Sequence, residues 1–418
     1  MTERLVLEID SIAAGGDGVA RHDGLVVFVP RTAPGDRVLA QVEKGRRFAR
    51  GRVEAFERES PARVEPRCAH YGPSRCGGCQ LQHLGETAQG DAKRAIVRDT
   101  MRRIGRRTTD LPAFHRAPSA WRYRQRLSLA LRKNSEGAWF GGLHKWDDPA
   151  AVFALEDCWI TDERVLALWR EVLAAADSFP QADALRGTVR LIGARGVLTI
   201  EGGRTWPDVD AFIERLPSFD GVWWTAEAGR RRRVGVAAGS PEAASADASF
   251  SQVNPAVATP MFSFVEEQIV ARVALSLPVH VIDAYSGTGE LAAALYARGI
   301  RVTAIEFDEE ASAFAAGRLT RPSRSIAARV EDVIARVLPA DVVVVNPPRA
   351  GLDSGVTQAL NAAPGTTAII YVSCDPATLA RDVARLPSWS IASMDAFDMF
   401  PQTAHVETVV VLTRDRTS

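Results

Sequence analysis

Two patterns of apolar residues divide the chain. Over residues 4–56 apolar positions recur at every second residue in short runs, as at Val27, Val29 and Val38, and turn residues separate the runs: Gly15-Gly16-Asp17-Gly18, then Pro34-Gly35-Asp36. Alternation between such turns predicts hairpin-linked strands, and a set this short suits a small β-barrel of the oligonucleotide-binding kind. Beyond residue 247, apolar runs (HVIDAYSG, RVTAIEF, DVVVVNPP, TTAIIYVSC, HVETVVVLT) alternate with segments of helical spacing (ELAAALYAR, EEASAFAAGRL, PATLARDVARL). That alternation predicts an α/β unit of βαβ type, with a mainly parallel sheet and a ligand crevice at the carboxyl ends of its strands. Residues 59–247 read as a mixed α+β segment with a cysteine-bearing loop, an Arg-rich helix and several strand-like runs. The small polar stretch 239–249 (GSPEAASADAS) reads as a linker, with a boundary near Asp247. The expected units are 1–58, 59–247 and 248–418.

At 418 residues the chain exceeds one ordinary core. It contains no run of the roughly 18–20 apolar residues that a membrane span needs, and its opening MTERLVLEID lacks the basic-then-apolar run of a signal peptide. A cytoplasmic location and no membrane partner are expected; nothing in the sequence addresses oligomeric state, and a monomer is compatible with it. Net charge is zero, but residues 44–133 hold 22 Lys or Arg against 8 Asp or Glu. For the 93–107 stretch a solvated helix face is an equally good reading. Near 116–133, Trp121, Tyr123 and Trp139 accompany the cations, and that mixture favours RNA through stacking and phosphate contacts. The cysteines are five, Cys68, Cys76, Cys79, Cys158 and Cys374, and a reducing compartment argues against structural disulfides.

Asp283-Ala-Tyr-Ser-Gly-Thr-Gly-Glu290 follows the first strand of the α/β unit and opens its first helix. Gly287 and Gly289 permit a tight turn and close backbone approach to a ligand. Glu306 ends the next strand, where a carboxylate can take both hydroxyls of a ribose; without a third glycine a pyrophosphate fits less well. Asp332 is placed to add a contact to an adenine. Asn346-Pro-Pro-Arg349 ends the strand 341–345, the prolines terminating it in the crevice. Ser373-Cys374-Asp375-Pro376 ends the strand 368–372 and begins a helix, whose dipole is expected to lower the thiol's pKa. Glu407 opens the last apolar strand and can serve as a general base.

These pieces, in this order, resemble the RNA uracil-5-methyltransferase family, whose members make 5-methyluridine in transfer or ribosomal RNA. The resemblance covers the whole chain. It implies a Rossmann-like methyltransferase unit using S-adenosylmethionine, an N-terminal TRAM-like (OB-like) barrel, and a [4Fe-4S] cluster held by Cys68, Cys76, Cys79 and Cys158, with tetrahedral zinc on the same thiols as the alternative. It assigns Phe250 and Gln252 to the neighbourhood of the flipped base and donor, Tyr285, Gly287, Glu290, Glu306, Asp332 and Asn346 to the binding site, Cys374 as nucleophile and Glu407 as base. The chain departs from the family twice. Cys68 and Cys76 are separated by seven residues where five are usual, and Asn346 stands where Asp usually opens the motif. An Asn offers both a donor and an acceptor to the base edge, which keeps a cytosine-5 reading open. An adenine amino-methyltransferase would leave Cys374 and Glu407 without work, and a non-catalytic RNA-binding protein would be indifferent to Cys374.

Overall fold

The computed structural model describes residues 2–229, 231–236, 252–273 and 279–414, so the linker and the boundary expected near Asp247 lie outside the described residues. Three sheets organise the described chain.

The first contains β1 (Thr2–Glu8), β2 (Ser11–Ile12), β3 (Gly18–His22), β4 (Leu25–Val29), β5 (Arg37–Lys44) and β6 (Ala49–Arg58), in the order β1-β5-β6-β4-β3-β2. Alternation does the sorting, as expected: Val38, Ala40 and Val42 of β5 are buried while Arg37, Gln41 and Glu43 face out. The sheet curls enough that the Asp10 N–H donates to the Val19 carbonyl at 2.8 Å. Buried Asp36 ties this sheet to the segment after β6, accepting from the Ser60 N–H at 2.8 Å and pairing with Arg63 at 2.7 Å.

After α1 (Glu86–Arg103) and β7 (Ala113–His115) comes the second sheet. It contains β8 (Arg126–Lys133), β9 (Trp139–His144), β10 (Val152–Ala154), β11 (Ala184–Ile192), β12 (Arg195–Glu201), β13 (Phe219–Thr225) and β14 (Arg232–Val236), ordered β10-β9-β8-β11-β12-β13-β14. Helices α2 (Glu163–Ala174) and α3 (Val209–Glu214) belong to the same unit. Leu127, Leu129 and Leu131 of β8 join Val165, Trp169 and Val172 of α2 in one core. Trp169 packs so tightly that a Cβ on Gly187 of β11 would lie 2.5 Å from its ring.

The third unit begins with α4 (Pro255–Val273) and alternates β15 (His280–Ala284), α5 (Glu290–Ala297), β16 (Arg301–Glu306), α6 (Glu309–Gly317), β17 (Arg324–Ala327), α7 (Val330–Val337), β18 (Val342–Val345), α8 (Ser354–Ala362), β19 (Ala368–Ser373) and α9 (Pro376–Ala384), followed by β20 (Ser390–Phe397) and β21 (Glu407–Thr413). The sheet order is β17-β16-β15-β18-β19-β21-β20-β7. Strands β15 to β19 are parallel; β21 runs antiparallel to both its neighbours, β19 and β20. The central strands are apolar along their whole length, Val342 to Val345 all being buried, because helices cover both faces.

The middle segment is not self-contained. Its β7 pairs parallel with β20 at the edge of the third sheet, and Val97 and Met101 of α1 lie in that sheet's core. The basic run reads in sequence as a solvated helix face or an RNA contact; the structure uses several of its cations as internal ties. Lys93 is wholly buried, its ammonium 2.5 Å from Asp398 and donating to the Phe400 carbonyl at 3.0 Å. Arg107 donates to the Leu386 and Trp389 carbonyls at 3.1 Å each. Of the expected stacking aromatics one is buried and two are half-buried against other side chains. Tyr123 is buried with its hydroxyl on the Pro401 carbonyl, Trp139 packs edge-on against Phe179, and Trp121 meets Trp159 and Arg67. Positive charge counted along a sequence does not distinguish a tie from a surface.

Among the described residues no helix is long and apolar enough to cross a membrane. Because Asp398 is the anion of a buried pair, Asp398→Asn leaves an uncompensated ammonium and is expected to lower unfolding free energy by about 3–5 kcal/mol, whereas Lys93→Met, which removes the buried charge itself, costs less; urea titration of the two variants checks the order.

Candidate active site

The crevice at the carboxyl ends of the third sheet gathers two loops side by side, linked where the Asn346 N–H after β18 donates to the Ala284 carbonyl at the end of β15 (3.2 Å).

The first loop runs from Tyr285 to Gly289 and alternates into left-handed backbone: φ is +62° at Tyr285, +55° at Gly287 and +71° at Gly289. Gly289 is required on packing grounds as well, since a Cβ there would lie 2.6 Å from that of Ala315. Glu306 braces the loop, one carboxylate oxygen accepting from the Gly287 N–H and the other from the Asp308 N–H, both at 2.9 Å. Behind it, Asp283 is buried with Oδ2 unpartnered, and burial first, then the Glu306 charge, push its carboxyl up to about 7. Burial likewise raises the Tyr285 hydroxyl, with a further contribution from Glu331. Glu290 is exposed at the start of α5, Gln252 is partly buried before α4, and Phe250 lies outside the described residues. Asp332 is exposed on α7; its half-buried neighbour Glu331 is the carboxylate whose charge reaches Tyr285. Phe307, directly after Glu306, is 68% exposed, with the Arg329 guanidinium 5.7 Å from its ring centroid.

The second loop, after β18, brings Asn346 and Arg349, and next to it, at the neighbouring strand ends, stand the reactive candidates Cys374 and Glu407. Strand β19 pairs with β21 so that Ser373 faces Thr408. Just beyond that last pair stand Cys374, which follows β19, and Glu407, the first residue of β21, near enough that the Glu407 charge acts on the thiol. Glu407 is buried with Oε2 unpartnered, and burial pushes it up to about 8 against the opposing charge of Arg349. Cys374 is half-buried. The expected depression of its thiol is reversed: burial raises it, Glu407 and Asp375 add to the rise, and Arg349 opposes them. The physical reason is chiefly that the thiol sits in a space with little water, beside the Glu407 carboxyl; in a lesser way Asp375 caps α9, its side chain accepting from the Ala377 and Thr378 N–H groups at 2.8 and 3.0 Å, so the helix terminus already holds an anion. Desolvation and then the Arg349, Lys93 and Arg124 charges hold the nearby His405 imidazole below its usual range, a second group sequence did not single out.

The other four cysteines are brought together, though they come from separate parts of the sequence. Cys68, Cys76, Cys79 and Cys158 line one cavity of about 330 Å³ with Tyr71 and Arg124. Arg31 of the first sheet holds the loop in place, donating to the Tyr71 carbonyl and, at 2.9 Å, to that of Cys76. Burial pushes the Cys76 thiol up to about 11 and that of Cys79 to about 12. Among the described residues no group of three or more His, Cys, Asp or Glu side chains stands assembled as a metal centre.

Known proteins match over both the acceptor half and the full length. The family model described as tRNA (Uracil-5-)-methyltransferase matches residues 320–415, which span Asn346, Cys374 and Glu407. The 23S rRNA (uracil(1939)-C(5))-methyltransferase RlmD of Halomonas elongata is 30% identical over 98% of this chain and 89% of its own. The chain belongs to the RNA uracil-5-methyltransferase family. An uncharacterised RNA methyltransferase of Thermosynechococcus vestitus is 31% identical over 97% of each chain. The crystal structure of Pyrococcus abyssi tRNA (uracil-54, C5)-methyltransferase with S-adenosyl-L-homocysteine has the same fold, with a TM-score of 0.68 and 24% identity over 98% of this chain and all of that one. The methyltransferase therefore joins a parallel sheet, a glycine loop and an antiparallel return strand in one crevice.

The raised carboxyl of Glu407 has a consequence for stability. Its folded value of about 8 exceeds the ordinary 4.5, so the folded state holds that proton more tightly; the stabilisation is complete below 4.5 and lost as pH rises through about 8. Glu407→Gln is expected to remove this slope and to melt above wild type on the alkaline side of 8; thermal melts across that range check it.

Proposed function

We propose that the protein transfers a methyl group from S-adenosylmethionine to carbon 5 of a uridine in ribosomal or transfer RNA, with Cys374 as covalent nucleophile and Glu407 as base. The observation that carries this reading is the nearness of Cys374, just after β19, to Glu407, the first residue of β21, each under the charge of Arg349.

Uracil carbon 5 is too weak a nucleophile to take a methyl group unaided. Addition of the Cys374 thiolate to carbon 6 makes the ring an enolate whose carbon 5 carries the electron pair. The donor supplies an electrophilic methyl on a sulfonium. Glu407 then removes the hydrogen remaining at carbon 5, and the cysteine is expelled. Two anions in one desolvated space oppose each other, so the raised values of Glu407 and Cys374 favour one negative charge at a time, with Arg349 stabilising whichever group holds it. Turnover should rise with pH toward the ionisation of Glu407. The target atom is hidden in a stacked base, so the RNA presents an unpaired or flipped nucleotide.

The donor residues are Gln252, Tyr285, Gly287, Glu290 and Glu306, with Asn346 at the junction to the base. The unpartnered Asp283 oxygen and the braced glycine loop support a polar ligand there. Phe307 offers an apolar face for the adenine and Asp332 a polar contact to it, with Glu331 beside it on the side of Tyr285. The four remaining cysteines would hold a [4Fe-4S] cluster of structural role, since methyl transfer moves no electrons; four thiols around one cavity suit thiolate ligation. The first sheet fits a TRAM-like RNA-binding unit. Its β5–β6 tip presents Arg46, Arg47 and Arg50 around Phe48, which is 43% exposed.

The test is incubation with S-adenosylmethionine and 5-fluorouridine-containing ribosomal or transfer RNA beside a Cys374→Ala control. Fluorine cannot leave as a proton does, so a denaturation-resistant complex that disappears in the control is expected. A complex on neither RNA overturns the uracil reading and moves Asn346 and a cytosine product to the front. For the cluster, protein purified without oxygen should carry iron and absorb visible light, both lost in Cys79→Ser; a colourless protein holding zinc overturns it.

A further inference from the structure

The turn between β20 and β21 delivers Glu407 to its place opposite Cys374, and its backbone is strained. Gln402 has φ of +69°, a conformation costly for a residue with a Cβ, and it is 2% exposed. Three hydrogen bonds hold it there. Its N–H donates to Gln89 Oε1, its side-chain oxygen accepts from Gln89 Nε2, and its carbonyl accepts from the Leu81 N–H, each at 3.0 Å. Gln89 is itself buried and anchored by donating to the Leu84 carbonyl at 2.8 Å. Further along, the Ala404 N–H donates to Gln80 Oε1 at 3.4 Å, and Gln80 donates to the Gly77 carbonyl at 2.9 Å. These partners belong to α1 and to the loop bearing Cys76 and Cys79, outside the strands the turn connects. Strain maintained by outside partners five residues before a reacting carboxylate is a means of fixing that group's position.

We propose that Gln89 and Gln402 are a positioning pair that sets Glu407 for removal of the carbon-5 proton, after methyl transfer is complete. This rests on the covalent reading of Cys374 and Glu407. Sulfur addition and methyl transfer need Cys374. In the final step the Glu407 carboxylate takes the proton from carbon 5, the C–H electron pair becomes the C5–C6 double bond, and the C6–S bond breaks with its pair returning to sulfur as thiolate. A misplaced Glu407 therefore stalls the reaction at a methylated covalent adduct.

The full-length Gln89→Ala variant, with S-adenosylmethionine and RNA containing ordinary uridine, is expected to lose about tenfold in kcat, a part of the roughly 10²–10⁴ that a positioned base contributes, with KM for RNA unchanged. The denaturation-resistant adduct on that RNA should accumulate above the wild-type level, while the 5-fluorouridine adduct forms at the wild-type rate. Gln89→Ala/Gln402→Gly should regain turnover, because glycine adopts this φ without strain. Wild-type kcat and adduct level in Gln89→Ala overturn the proposal, as does slowed 5-fluorouridine adduct formation that Gln402→Gly leaves unrepaired, which marks a general loss of fold. Absence of the 5-fluorouridine adduct in the wild-type protein overturns the covalent reading first, and is seen without any variant.

Discussion

The reversed direction of β21 is the constraint on which the site depends. A parallel strand beside β19 would begin at the far edge of the sheet, away from the crevice. Because β21 runs antiparallel, its beginning lies beside the end of β19, where Thr408 pairs with Ser373, and Glu407 and Cys374 stand just beyond that pair, the carboxylate's charge reaching the thiol. A slip of one residue would send Glu407 to the opposite face. The slip is opposed on both sides, since Val409 to Leu412 are buried between β19 and β20. The edge beyond is closed by β7, which the chain supplies from far upstream. α1 is drawn in for the same reason: its Lys93 closes on Asp398 at the head of the turn that becomes β21. Sheet, helix and turn thus serve one placement.

That placement sets the electrostatics. Bringing a thiol and a carboxyl together in a space with little water raises both, and the capping carboxylate of Asp375 removes the help a bare helix terminus would give the thiol. Arg349, from the adjoining Asn-Pro-Pro-Arg loop, is the cation that opposes the rise in each. A residue that reads in sequence as part of a strand-ending turn is therefore the counter-charge of Cys374 and Glu407 alike. Under the covalent mechanism negative charge resides first on sulfur, then on the ring, then on the carboxylate, and one cation within reach of the pair can serve the first and last of these in turn.

Much of the third unit was legible because its signals are local. Gly287 and Gly289 announce a turn after a strand, Pro347 and Pro348 end a buried strand, and Cys374 and Glu407 stand at strand ends set by hydrophobic runs. Alternating apolar positions likewise announce the strands of the six-stranded first sheet. What escaped depends on contacts distant in sequence. No periodicity reveals that residues 113–115 complete a sheet built mostly beyond residue 280, or that Lys93 is buried, since its neighbours Arg94 and Arg98 share its chemistry and remain partly exposed. Gln402 escaped for a different reason: glutamine carries no turn preference, so its left-handed backbone is a product of Gln89 and Leu81, not of its own type. The thiol's raised pKa runs against the sequence reading because a sequence names the helix terminus but not the burial of the thiol or the nearness of Glu407, which outweigh it.

The basic region makes the same point about surfaces. Several of its cations close internal gaps: Lys93 on Asp398, Arg94 on the Pro112 carbonyl, Arg107 on two carbonyls near Trp389, Arg122 on Asp157. Such groups are held by the fold, and the wholly buried Lys93 is out of a phosphate's reach. The β5–β6 tip differs in kind. Lys44 at its base is tied to Glu3 at 2.8 Å, but Arg46, Arg47 and Arg50 are exposed around Phe48, whose ring meets Phe28 edge-on at 5.5 Å and leaves much of its surface open. Exposed cations beside an exposed ring are the chemistry that suits a single-stranded nucleic acid, and in the tip they are gathered on one short turn, whereas in the helical part of the basic run exposed cations such as Arg102 alternate with buried ties such as Lys93.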